Sequence, residues 1–478
     1  MTSQLTTVHL VTLGCARNEV DSEELAGRLE AGGFSLVDDP ADATAVLVNT
    51  CGFIDAAKKD SIDTLLAAAD LKADDPSRTV VAVGCMAERY GAELARELPE
   101  TDAVLGFDDY ADIAARLRSI MAGEHHQAHT PRDRRTLLPL APTARPAASG
   151  GIALPGHGEL PVGIAPASGP QVLRRRLERG ATAPLKIASG CDRRCAFCAI
   201  PSFRGSYLSR PIDDIVAEAR WLVASGVREV VLVSENSSSY GKDLGTPVAL
   251  ERLLERLDAV DGLDWIRISY LQPAEVRPSL IATMCGLESV VPYFDLPFQH
   301  ASASVLRRMR RFGDADSFAG LLASIRTRAP QAGIRSNVIV GFPGETAADV
   351  DVLMDFLASA RLDAVGVFGY SDEEGTEGQR LPAKVSDREI ADRVETVSAL
   401  VDELASQRAE DRIGERVRVL VETADAQGGV QGRAAHQGPE TDGVAQAQVG
   451  SRVPDAGTLH WGKVTATDGV DLIVELED

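Results

Sequence analysis

The chain predicts an α/β protein in three parts: an N-terminal doubly wound parallel sheet, a central six-stranded partial (β/α) barrel, and a small C-terminal β-barrel. Three observations carry that prediction. Apolar runs of strand length alternate with segments of helical period over residues 8–121 and again over 184–412. Between them, residues 122–183 lose the period, and eight prolines fall between Pro131 and Pro170 among Ala, Gly and Ser, the composition of a linker. From residue 413 to 478 short alternating strands take over. A length of 478 residues has room for about three domains, each with its own core.

In the first part the strands are VHLVTLG, TAVLVNT, RTVVAVG and DAVLGF, separated by amphipathic stretches such as DSEELAGRLEAGG and AERYGAELARELPE. Such alternation builds a sheet with helices on both faces, and ligands then sit at the strand carboxyl ends. The central part offers LKIASG, EVVLVSEN, WIRISYL, YFDLPFQ, IRSNVIVGF and AVGVFGYS. Its working face is expected at the carboxyl ends as well. A helix over 387–413 carries Ile390, Val394, Val397, Leu400, Val401 and Leu404 at helical spacing and reads as a connector packed on the barrel. RVRVLVE and VDLIVELE are strands of the last domain.

Composition narrows the function classes. Apolar residues make up 44% of the chain, and no run approaches a membrane span. The segment MTSQLTTVHLVTLG lacks a basic stretch followed by an apolar core and a small-residue cleavage site, so no export signal is expected. The expected location is the cytoplasm, where reducing conditions favour metal-bound thiols over disulfides. The net charge of −22 suits a basic protein partner better than a nucleic acid, with plain solubility as the alternative.

Six of the seven cysteines form two triplets. Cys191, Cys195 and Cys198 are spaced CxxxCxxC inside SGCDRRCAFCAIP, just after the first central strand. Cys15, Cys51 and Cys85 each close an apolar run (LVTLGC, VLVNTC, VVAVGC), which places them at the strand carboxyl ends of one sheet. Iron–sulfur clusters are normally held by four thiolates. Three ligands leave one iron open to a substrate, a cofactor or an exogenous sulfur. A zinc site would show paired CxxC elements. For the dispersed triplet the alternative is three buried structural thiols. Cys285, alone in IATMCGLES, reads as a small buried thiol.

LKIASGCDRRCAFCAIPSFRG resembles the cluster loop of the radical S-adenosylmethionine superfamily. That resemblance implies a four-iron cluster on Cys191, Cys195 and Cys198 whose free iron chelates S-adenosylmethionine, and whose electron cleaves it to a 5′-deoxyadenosyl radical. LGCARNEVDSE, VNTCGFIDAAKKDSI and VGCMAERYGAELARELPETDAVLG resemble the N-terminal domain of the methylthiotransferases. The likeness extends over nearly the whole chain except the linker. It implies a second four-iron cluster on Cys15, Cys51 and Cys85 that carries the sulfur to be inserted. It also implies two uses of S-adenosylmethionine, as methyl donor and radical source, and an electron donor such as a flavodoxin or ferredoxin.

Within that family, FGYSDEEGTEG (with Glu373 and Glu374 before Gly-Thr), SSSYGKDLG and GRAAHQGPETDG resemble the type that modifies an aspartate of ribosomal protein S twelve, alone or in the small ribosomal subunit. The last domain would then be a TRAM-like barrel. Residues 415–478 hold 11 acidic and 5 basic side chains, a net charge of −6, which argues against direct RNA binding and for a Lys- and Arg-rich protein. The rivals are the same chemistry on a transfer-RNA adenosine and, from another class, a non-catalytic iron–sulfur carrier.

Weaker candidates surround the triplets. Phe197 is expected near the adenine side of the cofactor. Where the ribosomal-protein type reads AQDT this chain has Ser234-Glu235-Asn236-Ser237, and Glu235 is placed to accept from the cofactor's amino group. Gln299 and Arg335, expected at strand ends, would touch its carboxylate or ribose, with structural roles as the alternative. GFPGET (341–346) is either a loop of the active face or a set of turn glycines. His300 is either a proton shuttle or a satisfied hydrogen-bonder. His125, His126 and His129 are expected in solvent, and Arg174, Arg175 and Arg176 on the charged face of a short helical patch.

Overall fold

The computed structural model describes residues 6–131, 133, 174–246, 248–425, 429–439, 441–448 and 453–477. Most of the expected linker, residues 132 and 134–173, lies outside the described residues. The chain forms two compact units. Of the described residues, one comprises those within 6–179, 184–193 and 199–218, and the other those within 180–183, 194–198 and 219–477.

The first unit holds a five-stranded sheet in the order Ser35–Leu36, Thr7–Thr12, Ala45–Thr50, Thr79–Val83, Ala103–Val104, with every neighbouring pair parallel. The sequence announces four of these strands; the edge strand Ser35–Leu36 is too short to display a period. Strand alternation sends successive side chains to opposite faces. Leu47, Val81 and Val83 accordingly pack with Leu25, Leu29 and Leu117 on one face. Val46, Val48, Val80 and Ala82 pack with Leu65 and Leu94 on the other. Each such apolar side chain stabilises the fold by about 1.5–3 kcal/mol when fully buried. Past their carboxyl ends, three central strands lead into the helices Ala16–Ala31, Asp55–Asp70 and Gly84–Glu97.

In the second unit the strands Glu229–Val233 and Trp265–Ile268 pair in parallel, with Thr182–Lys186, whose first residues belong to this unit, at the edge of the same sheet. Tyr293–Asp295, Gly333–Val340 and Ala364–Gly369 form a second parallel sheet. A parallel bridge between Ile266 and Val290 ties the two together. Six central strands thus succeed one another in chain order, as expected of a partial (β/α) barrel. The intervening helices start on side-chain caps: Asp314 accepts from the Ser317 N–H, and Thr346 from the Asp349 N–H. The connector runs over Asp387–Glu410, burying Val397 and Val401.

The C-terminal barrel is closed, in the order Arg416–Ala424, Val430–Ala434, Ala445–Gln448, Asp471–Leu476, Leu459–Asp468. It meets the amino ends of the central strands through residues 433–442. Arg433 pairs with Glu229, the first residue of its strand, and Arg267 Nη1 donates to the Ala435 carbonyl at 3.0 Å. The Tyr293 hydroxyl donates to Asp442. Gly333 has no side chain where the His436 carbonyl passes; a Cβ there would stand 2.3 Å from that oxygen. GRAAHQGPETDG is therefore a docking segment, a role its resemblance to a family signature did not announce.

Two surface assignments need correction. Arg174 lies in irregular chain and is buried: its Nε donates to Glu23 Oε2 at 2.7 Å and a second arm pairs with Glu218. His129 is half-buried against Glu88, with Nε2 3.3 Å from Oε1, and the half-buried His126 lies 3.9 Å from Asp109, whereas His125 and Arg175 are exposed as expected. Arg174 and His129 depart from expectation because their partners lie far away in sequence.

Candidate active site

The dispersed triplet is built by three similar strand exits. Cys15 caps the helix Ala16–Ala31, and its carbonyl accepts from the Asn18 N–H at 2.7 Å. Cys85 is the second residue of Gly84–Glu97, so two of the thiols lie at helix amino ends, where the helix dipole favours an anion. The Cys51 N–H donates to Ser61 Oγ at 2.9 Å, and that hydroxyl donates to the Cys51 carbonyl at 3.0 Å. Gly14 (φ +95°) and Gly84 (φ +93°) make the turns. A Cβ on Gly14 would come within 2.9 Å of Cys51 Sγ, and one on Gly84 within 2.2 Å of Asn49 Oδ1. Only glycine lets these exits close together.

Asn18 stitches the group. Its amide donates to the Leu13 carbonyl at 2.8 Å and the Thr50 carbonyl at 3.2 Å, joining the first two exits. Its Oδ1 faces Cys85 Sγ at 3.4 Å. The thiols feel one another electrostatically: Cys15 acts on Cys51, and both act on Cys85. Cys15 is exposed, Cys51 half-buried and Cys85 buried. Burial pushes Cys51 up against a backbone hydrogen bond at Phe53, and pushes Cys85 up to about 12 against Arg204. Two buried polar atoms beside them, Asn49 Oδ1 and the Tyr110 hydroxyl, have no hydrogen-bond partner.

Sequence reasoning missed the charged wall of this site. Arg204 Nη1 donates to Asp21 Oδ2 at 2.8 Å, while Nη2 reaches Asn18 Oδ1 at 3.1 Å and Cys85 Sγ at 3.0 Å. Lys186 Nζ lies 3.2 Å from Asp21 and 2.6 Å from Glu24. Arg17 Nη1 donates to the Ala188 carbonyl at 2.9 Å. Burial pushes the Asp21 carboxyl up, but Arg204, Lys186 and Arg17 prevail and hold it well below its usual range. One signal was available: Lys186 stands in the otherwise apolar LKIAS, and a lysine inside a buried strand needs a partner.

The second triplet lies in one loop, and all three of its cysteines are half-buried. The Cys191 N–H donates to the Gly205 carbonyl at 3.0 Å. The Cys198 N–H donates to the Cys195 carbonyl at 3.2 Å, a tight turn. Ala196 is anchored from both sides, donating to the Met309 carbonyl at 3.0 Å and accepting from the Gly378 N–H at 2.6 Å. Arg311 Nη1 lies 3.8 Å from Cys195 Sγ. Phe197 packs against a cluster of Ala196, Val305, Met309, Phe342 and Tyr370. Among the described residues no three His, Cys, Asp or Glu side chains gather around a single-ion position, and no disulfide joins the cysteines.

The weaker candidates scatter. Glu235 is half-buried just past Glu229–Val233; beside it the Asn236 amide donates to Glu275 at 3.1 Å. Gln299 adopts φ +71° and bridges to Val338. Arg335 corrects an expectation: it is third in Gly333–Val340, away from the carboxyl end, and its guanidinium is engaged by Thr441 and Asp442. His300 Nδ1 accepts from the Ser302 N–H at 2.9 Å, while its buried Nε2 stands 3.5 Å from Glu345 Oε2 without a hydrogen-bond partner among the described residues. In GFPGET the Glu345 carboxylate accepts from the Gly341 N–H at 2.8 Å and pairs with Arg393, so this acidic side chain braces the turn. Cys285 is half-buried, its thiol raised by burial. Glu373 is buried, whereas Glu374 is exposed.

Comparison with known proteins identifies the family. Three family models match: Uncharacterized protein family UPF0004 over residues 7–106, Radical SAM superfamily over 185–357, and TRAM domain over 413–476. The ribosomal protein uS12 methylthiotransferase RimO of Cutibacterium acnes (strain DSM 16379 / KPA171202) is 64% identical over 472 residues, covering 98% of each chain. This chain belongs to the RimO family of ribosomal protein uS12 methylthiotransferases. The RimO of Streptomyces coelicolor (strain ATCC BAA-471 / A3(2) / M145) is 60% identical over 475 residues, covering 98% of this chain and 96% of its own. Family membership makes the chain a radical S-adenosylmethionine enzyme and a transferase. Among solved structures, a radical S-adenosylmethionine methyltransferase, TsrM, from Kitasatospora setae is similar at a TM-score of 0.52 and 15% identity, covering 88% of this chain and 79% of that one. At that identity the likeness speaks for fold alone. No described helix is long and apolar enough to cross a membrane.

Proposed function

We propose that this RimO-family chain installs a methylthio group on the β-carbon of an aspartate of ribosomal protein uS12, using two four-iron clusters and two molecules of S-adenosylmethionine per product. In this reading Cys15, Cys51 and Cys85 hold one cluster and Cys191, Cys195 and Cys198 the other. The observation that carries it is that the Cys85 thiol meets Asn18 and a buried arginine while the Asn18 amide ties the chain at the other two cysteine-bearing strand exits, beside a CxxxCxxC loop anchored at Ala196. The donor set fits: thiolates are the usual ligands of such clusters, and Arg204 offers a cation to a thiolate that burial alone would keep protonated.

When bound, the clusters supply the electron that cleaves S-adenosylmethionine and an open iron from which sulfur can be delivered. The chain's own residues do the rest. Gly14 and Gly84 let the thiols approach, Asn18 fixes the exits, and Phe197 supplies an apolar wall beside Cys198. The aspartate β-carbon would give a hydrogen atom to the 5′-carbon of the adenosyl group and take up a methylthio group supplied at the thiolate level, with the surplus electron returned to a cluster, so that a C–S bond replaces the C–H bond. The acidic C-terminal domain, net −6, favours a Lys- and Arg-rich protein over RNA. A cytoplasmic location and a flavodoxin or ferredoxin as reductant fit the oxygen-sensitive chemistry.

The test is an anaerobic assay on reconstituted full-length protein, offered uS12 and transfer RNA in parallel and read by mass spectrometry. The expected outcome is a methylthiolated aspartyl peptide, with about eight irons per chain. A methylthiolated nucleoside would replace this reading with the transfer-RNA one. Iron binding without 5′-deoxyadenosine would reduce the chain to a carrier.

A further inference from the structure

Resting on the two-cluster reading, we propose that Arg204 is a positioning residue that hydrogen-bonds the Cys85 thiolate and sets the reduction potential of the N-terminal cluster. Its geometry is tightly determined. The side chain is 3% exposed, and one arm holds Asp21 while the other holds Asn18 and Cys85. The guanidinium carbon lies 4.8 Å from the Phe107 ring centroid, which fixes its plane. A planar fork can divide itself between a carboxylate and a sulfur; a single ammonium cannot.

Arg17, Lys186 and Arg204 all act on Asp21, and Lys186 also meets Glu24. A cluster-bound thiolate at Cys85 would add a negative charge beside these buried cations, which favours them. The unpartnered, buried Tyr110 hydroxyl is electrostatically linked to the same thiol. Donors and positive charge at a cluster sulfur stabilise the reduced, more negative form, so they raise its potential. At the other triplet, Arg311 stands farther off, at 3.8 Å from Cys195 Sγ, and is only partly buried.

The experiment uses the full-length chain carrying Cys191→Ala, Cys195→Ala and Cys198→Ala, so that iron can load only at the first triplet. In this background Arg204, Arg204→Lys and Arg204→Gln are compared for iron and sulfide content, thermal melting, and midpoint potential by titration followed with electron paramagnetic resonance. Lysine retains the charge opposite Asp21, so that variant is expected to melt near the parent, keep its iron and titrate at a more negative potential. Glutamine should shift it further in the same direction. An unchanged midpoint in an iron-replete Arg204→Lys protein overturns the proposal, whether or not the glutamine variant folds. If the parent background itself takes up no iron, the two-cluster reading fails and the proposal goes with it.

Discussion

Each unit of this chain buries a carboxylate between basic side chains, and the two clusters differ in what their remaining donors face. In the first unit Asp21 sits between Arg204 and Lys186, and the other arm of Arg204 reaches Asn18 and a cysteine sulfur. In the second, Glu229 sits between Arg267 and Arg433, whose other donors meet the Thr182 hydroxyl, the Ala435 carbonyl and the face of Tyr293, 4.5 Å from the Arg267 guanidinium, with Arg267 Nη2 left without a hydrogen-bond partner among the described residues. Buried ion clusters are weak evidence for stability, because desolvation offsets most of the attraction. What separates the two is the leftover hydrogen bond. One is spent on docking the C-terminal barrel beneath the central strands; the other is directed at a thiol that the proposed chemistry uses.

The largest expected effect tests whether that division is real. Cys195→Ala is expected to abolish both 5′-deoxyadenosine and methylthiolated product. Cys85→Ala should abolish product while 5′-deoxyadenosine continues to form, with both species quantified by mass spectrometry under reducing, anaerobic conditions. Loss of both in Cys85→Ala would mean that the first triplet is not a separate sulfur-delivering site. Next in size, Glu229→Gln leaves Arg267 and Arg433 without their anion and should cost about 3–5 kcal/mol in thermal or denaturant unfolding. Iron content below the melting transition should be unchanged; iron lost together with stability would erase the contrast between a docking cluster and a chemical one.

The smallest effect concerns pH, and its sign differs between the two regions. Glu19, on the same helix as Asp21, is raised from 4.5 to about 7 by burial and by the neighbouring Glu23 and Glu178. Its folded form binds a proton that its unfolded form has released, so its contribution weakens stability as pH rises from about 4.5 through 7. Glu19→Gln should flatten that slope in melting temperature against pH. For Glu229, burial raises the carboxyl, but Arg267 and Arg433 prevail and bring it to about 2, from 4.5. Its stabilisation is present above pH 4.5 and is lost as pH falls towards 2. An unaltered slope in Glu19→Gln would remove Glu19 as its source.

Much of this was legible beforehand because it is local. A run such as TAVLVNT alternates its faces by itself, and a Gly-Cys pair at a strand exit needs only its neighbours to turn, so the main parallel strands and the cysteines at their exits follow from short stretches. The edge strand Ser35–Leu36 escaped because two residues carry no period. The charged residues escaped for a different reason. Arg204 is separated from Asp21 by 183 positions, and Arg174 from Glu23 by 151. Read locally, Arg174-Arg175-Arg176 is a solvated basic run, and Arg17, Asp21 and Glu24 are the polar face of a surface helix. Arg335 misled in the same way, since its place in the strand is local but its partner Asp442 belongs to the last barrel.

The sequence by itself determined the chemistry carried by this protein: which side chains could hold clusters, which strands present them, and the family to which the motifs are similar. Period and spacing are properties of neighbouring residues, and neighbours suffice to set them. Only the tertiary structure decided which charges lose water and which keep it. A buried arginine is tolerable only where a distant anion or thiolate meets it at hydrogen-bond distance, and that meeting exists only once the chain has folded.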